Sequence, residues 1–134
     1  MHEKYINIAL QEAKKASIVG EIPVGAVIVK DNKIIAKAHN LVESKKSAIY
    51  HAEILAILKA TKKINNWRLN DCVMYVTLEP CLMCKYAIAL SRISEVYFIL
   101  NKDKEIVVKT NYNNLNLKSV ESLELIQNFF DKRR

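Results

Sequence analysis

Short β-branched apolar runs alternate along this chain with amphipathic stretches of helical period, and that alternation leaves few folds open. Residues 2–18 place Ile6, Leu10, Ala13 and Ser17 at helical spacing between Lys and Glu, and Gly20 supplies a stop. Pro23 to Val29 is apolar and reads as a buried strand. Asp31-Asn32 is turn chemistry, so Lys33 to His39 reads as the return strand of a hairpin. Asn40 to Tyr50 is polar and reads as a loop. His51 to Lys63, with Ile54, Leu55, Leu58 and Ala60, predicts a helix that Asn65-Asn66 ends. Cys72 to Leu78 predicts a strand, Glu79-Pro80 a turn, Cys81 to Leu90 a helix and Glu95 to Leu100 a strand. Glu105 to Lys109 is read as a further strand, and Val120 to Lys132 as a last helix carrying Leu123, Ile126, Phe129 and Phe130. Strands separated by helices imply parallel crossovers, and the opening hairpin makes the sheet mixed. The expected fold is α/β, a three-layer α/β/α sandwich.

The 134 residues suffice for one core, and only two Gly and two Pro leave little room for linkers, so a single domain over residues 1–134 is expected. Long apolar runs of membrane-spanning length are missing, and Met1-His2-Glu3-Lys4 does not open a signal peptide, so the expected location is the cytoplasm, with no membrane partner. In such a reducing compartment, three cysteines of which two form Cys81-Leu82-Met83-Cys84 point to metal or redox chemistry before disulfides. Cys72, without a partner spacing, reads as a small buried hydrophobe. The net charge of +7 suits a polyanionic partner, although a joint bias to Lys, Ile and Asn offers a compositional source for it.

Two segments carry chemistry: His51-Ala52-Glu53 and Pro80-Cys81-Leu82-Met83-Cys84. Each opens a predicted helix. Two cysteines three positions apart at a helix start can direct both sulfurs at one ion, and His51 can supply a third ligand from the other helix start. Helix N-termini favour the thiolate that zinc requires. Three protein ligands leave the fourth tetrahedral position to water, the arrangement of a catalytic rather than a structural zinc site. Glu53 is placed to move protons beside that water instead of ligating, so one Zn2+ per subunit is expected.

His-x-Glu followed by Pro-Cys-x-x-Cys is a known signature of zinc-dependent base deaminases. The chain also resembles the bacterial tRNA-specific adenosine deaminases, within the cytidine deaminase-like superfamily. The resemblance covers about residues 5–100 and rests on Gly20-Glu21-Ile22-Pro23-Val24-Gly25-Ala26-Val27, His39-Asn40 and His51-Ala52-Glu53-Ile54. It continues through Trp67-Arg68-Leu69, Tyr75 to Cys84 and Ser91-Arg92-Ile93, and the tail Phe129 to Arg134 matches an aromatic, basic C-terminal helix. It implies a five-stranded mixed sheet, a homodimer, and conversion of adenosine to inosine at the tRNA wobble position. It further implies that Asn40 and the backbone at Ala52 bind the flipped base, and that the last helix lies close to the tRNA anticodon stem-loop. The basic end of that helix, Lys132, Arg133 and Arg134, is then expected to meet RNA phosphates.

Some segments depart from the family pattern. Ser47-Ala48-Ile49-Tyr50 puts a Tyr where a small residue is usual, and Lys85 and Tyr86 follow the second cysteine where small residues are usual. Asn101 to Glu105 replaces a Gly-rich stretch, and the region from 107 to 117 is shortened. These segments are expected to shape the substrate groove. The competing readings are a deaminase of a free base, nucleoside or nucleotide (guanine, cytosine or dCMP), a non-catalytic partner subunit, and a structural zinc module. Trp67 is expected to seal the core beside Arg68, and His39 to have a local structural role.

Overall fold

The computed structural model describes residues 2–100 and 111–115. Helix α1 (His2–Ile18) leads into strands β1 (Gly25–Lys30) and β2 (Lys33–His39). The turn between them places Asp31 and Asn32 at φ 50° and 61°, the two positive values of a type I′ hairpin, with Lys30 opposite Lys33. A short helix α2 (Val42–Lys45) follows, then α3 (Ala52–Ile64), β3 (Cys72–Leu78), α4 (Leu82–Leu90), β4 (Glu95–Leu100) and β5 (Asn111–Asn114). The sheet order is β2-β1-β3-β4-β5. β1 runs antiparallel to β2 and β3, while β3, β4 and β5 are mutually parallel along their shared edges. The mixed sheet follows from the hairpin and from the α4 crossover, as the sequence implies. No helix among the described residues is long and apolar enough to cross a membrane.

Both faces of the sheet are buried, which is why Val24 to Val29 is continuously apolar. Ala26 and Ile28 point to a core shared with Ala52, Ala56, Ile57 and Ala60 of α3 and Ile88 of α4. Val27 and Val29 point the other way, to Tyr5, Ile6, Ala9 and Leu10 of α1. Alanines four apart on α3, Ala52, Ala56 and Ala60, leave little bulk on its inner face, so the helix lies close against the sheet. α1 approaches just as closely at Gly25. A Cβ there would stand 1.9 Å from the Ala9 carbonyl oxygen and 2.7 Å from the Ala13 nitrogen. Both are backbone atoms of a helix and cannot swing aside. Gly25→Ala should therefore cost about 3 kcal/mol or more, at the upper end for overpacking. Thermal or urea unfolding reads this directly.

Two elements differ from expectation. The loop from Asn40 to Tyr50 contains α2. Its first-turn N–H groups are satisfied from far away: the Glu21 carboxylate accepts from the nitrogens of Glu43 (3.0 Å) and Ser44 (2.6 Å) and from the Ser44 hydroxyl (2.6 Å). Burial works against that carboxylate's charge, but these hydrogen bonds outweigh it and hold its pKa below the ordinary value. β5 forms at Asn111–Asn114, a segment whose composition disfavours strands; pairing with β4 overrides propensity there. The expected strand at 105–109 and helix at 120–132 lie outside the described residues, as do Lys132, Arg133 and Arg134.

Candidate active site

The α3 and α4 N-termini meet at one end of the sheet. His51 is the N-cap of α3 and Cys81 the N-cap of α4; both have extended backbone, and neither side chain caps its own helix. Those side chains are thus left for another purpose. Cys84 follows in the first turn of α4. The sulfurs of Cys81 and Cys84 each lie 3.5 Å from His51 Nδ1, and all three ligand atoms fall within 4.8 Å of one another. A tetrahedral zinc, with bonds of about 2.0–2.1 Å to nitrogen and 2.3 Å to sulfur, separates a nitrogen and a sulfur ligand by roughly 3.5 Å. The donor set therefore fits zinc in both chemistry and spacing. No other cluster of three metal-ligating side chains occurs among the described residues.

The sulfurs differ in character. A hydrogen bond from Cys84, against the opposing effect of burial, and one from His51 hold the Cys81 thiol well below its usual pKa. The Cys84 thiol is pushed far up by its bond to Cys81, by burial and by neighbouring Glu53. Cys84 hydrogen-bonds to both Cys81 and Glu53. Glu53, only 4% exposed, is in this way placed against the ligand cluster from the first turn of α3. A carboxylate at this position can take a proton and release it a short distance away, without being one of the three ligands.

Ala52 is fully buried as the first residue of α3, where a helix N–H has no acceptor within the helix. Asn40 directly follows β2 and is 6% exposed. Its backbone nitrogen donates to Val24 O (3.2 Å), and its side-chain amide makes no hydrogen bond among the described residues. A buried amide without a partner is costly unless a ligand satisfies it. The neighbouring Leu41 nitrogen donates to Tyr50 O (3.0 Å), which ties the strand end to the residue before His51.

Other residues behave differently from the sequence reading. Trp67 does not seal the core: it is 53% exposed, with the Arg68 guanidinium 4.4 Å and that of Arg92 5.7 Å from its ring. Leu69, two residues on, takes the buried place. Tyr86 stands out from α4, half exposed, whereas Lys85 is buried and paired to Glu79. That pair escaped the sequence reading, and its only signal was a lysine where a small residue is usual. His39 has the expected structural role, its Nδ1 lying 3.1 Å from Glu12 Oε1. Cys72 is fully buried, and burial raises its pKa.

Comparison with known proteins agrees with this geometry. Residues 1–100 match the family described as the cytidine and deoxycytidylate deaminase zinc-binding region. A tRNA-specific adenosine deaminase of Aquifex aeolicus is 44% identical, over 98% of this chain and 95% of its own length. One of Bacillus subtilis is 51% identical over 96 residues, which is 72% of this chain but only 60% of that protein. A solved structure from work on A-to-I editing by tRNA:A34 deaminases at the wobble position of transfer RNA superposes with a TM-score of 0.83. It is 31% identical, over 92% of this chain and 99% of that one.

Proposed function

Since the chain belongs to the cytidine and deoxycytidylate deaminase zinc-binding family, and within it resembles tRNA-specific adenosine deaminases over nearly its whole length, we propose that it converts adenosine to inosine at the wobble position of tRNA. The observation that carries the chemistry is the His51, Cys81 and Cys84 triangle with buried Glu53 against it. The Aquifex aeolicus relative supports the substrate.

His51, Cys81 and Cys84 would hold a zinc ion, whose chemistry when bound would be to lower the pKa of water and so make it a nucleophile. The rest of the reaction falls to the chain. The Ala52 N–H and the Asn40 amide hold the base, which has left its stack to enter the pocket. Glu53 accepts the proton that the attacking water loses and hands it to a ring nitrogen of adenine. Once the oxygen has bonded to C6, Glu53 takes the proton of that new hydroxyl and gives it to the amino group, so that the C6–N bond breaks, ammonia leaves and the base becomes hypoxanthine. Burial of Glu53 keeps solvent from competing for that proton.

We further take the chain to be a single deaminase domain over residues 1–134, with five strands in a three-layer sandwich, working in the cytoplasm as a homodimer. An exposed apolar stripe on α4 supports the dimer: Leu82 (43% exposed), Tyr86 (54%) and Leu90 (68%) recur every four residues. The positive net charge supports an RNA partner.

The test of the partner is electrostatic. Binding to an anticodon stem-loop should weaken steeply with salt, each phosphate contact contributing a log–log slope of roughly −0.7 to −0.9. Deleting Lys132, Arg133 and Arg134 should make that slope shallower and lower the rate on the stem-loop. It should leave the reaction with any small substrate nearly unchanged, because the zinc ligands and Glu53 stand at the starts of α3 and α4. An unchanged slope and rate would show the tail to be a solvated end and would favour a deaminase of free bases.

A further inference from the structure

Lys85 is an ammonium in a place where charge is expensive. Its side chain is 6% exposed, and its Nζ lies 2.7 Å from Oε2 of Glu79, itself 12% exposed. The two residues bracket the metal-binding segment: Glu79 stands two positions before Cys81, and Lys85 directly follows Cys84. Each is also fixed through its backbone. The Glu79 nitrogen donates to Leu100 O at the end of β4 (2.7 Å), and the Lys85 nitrogen donates to Cys81 O in the first turn of α4 (2.9 Å). The ion pair thereby closes the chain segment 79–85 on itself, with its start tied to the end of β4 and its end tied to Cys81. Both cysteine ligands lie within that segment.

We propose that the Lys85–Glu79 ion pair is a positioning device for the metal centre, which locks the turn carrying Cys81 and Cys84 so that zinc, once bound, leaves slowly. The proposal rests on the zinc ligand set and is independent of which base is deaminated. A buried pair of this kind adds little net stability against an apolar pair of the same size, but removing one partner takes from the other the counter-charge 2.7 Å away. Its value then lies in geometry: two ligands held at the separation zinc requires. Contacts that orient metal ligands commonly contribute about 10–100-fold to metal retention or activity.

The experiment uses the zinc-loaded enzyme. Zinc release into excess of a coloured chelator is timed for the wild type, Lys85→Met, Glu79→Gln and the double variant Glu79→Leu/Lys85→Met, with thermal unfolding measured beside it. Release should quicken about 10–100-fold in both single variants at temperatures well below their unfolding. The apolar double variant should regain much of the thermal stability and still release zinc quickly. Lys85→Arg, which keeps the charge, should restore slow release in part. If Lys85→Met fails to fold, Glu79→Gln, which keeps shape and loses only the charge, carries the same prediction. Wild-type release rates in Glu79→Gln, or a double variant that recovers stability and slow release together, would overturn the proposal.

Discussion

Glu53→Ala is expected to keep its fold and its zinc while turnover falls by at least about 10²–10⁴-fold, the usual contribution of a positioned acid–base group. Retention of the metal follows from the geometry, in which His51, Cys81 and Cys84 form the triangle and Glu53 lies against its Cys84 corner. The loss of rate follows from the number of steps that need the carboxylate. It receives the water's proton, protonates the ring and assists the departing amine, so its removal is felt more than once. Replacing a buried carboxylate with a methyl group also removes a charge that folding has to desolvate, so stability should not suffer greatly. Single-turnover rates with metal content measured on the same sample are the check. Near wild-type activity would remove Glu53 from the mechanism, and loss of zinc in the variant would make it a ligand.

The opposite pattern is expected of Cys84→Ala: zinc and activity should disappear together. Cys84 is fully buried in the first turn of α4, with its sulfur 3.5 Å from His51 Nδ1. Two remaining ligands from two different helices cannot complete a site that already has only three. The variant should also lose the thermal stabilisation that zinc gives the wild type, because binding free energy at such a site is shared with folding. Metal analysis after purification without added zinc, with melting temperature measured with and without the ion, tests both parts. A metal-free variant, or a metal-free wild type, that still deaminates would refute the zinc site.

These two variants separate roles that look alike in the sequence, and the sequence does carry both. The His51-Ala52-Glu53 and Cys81 to Cys84 segments are legible because chemistry requires short fixed spacings at helix starts, and helix starts leave local marks. Strands Lys33–His39, Cys72–Leu78 and Glu95–Leu100 are legible for a related reason. Their burial alternates or is continuous, and Asp31-Asn32 marks the hairpin turn between β1 and β2. Helix α2 is not legible, because its first turn is capped by Glu21, a residue of another segment. β5 is hidden by its asparagines, which only pairing with β4 makes extended. The exposure of Trp67 depends on which of Trp67 and Leu69 the turn after α3 directs inward, and spacing alone does not decide between them. Lys85 is marked in the sequence only as an unusual residue; its meaning needs Glu79 to be seen beside it.

The central claim is that this site deaminates adenosine within RNA. Its most direct test is to incubate the purified, zinc-loaded protein with a tRNA anticodon stem-loop carrying adenosine at the wobble position, and in parallel with free guanine, cytosine, adenosine and dCMP. Inosine in the RNA and ammonia are then measured against a Glu53→Ala control. The expected result is inosine at the wobble position, dependent on Glu53, and little ammonia from the free compounds. Ammonia released from a free base or nucleotide, with the stem-loop left unmodified, would contradict it.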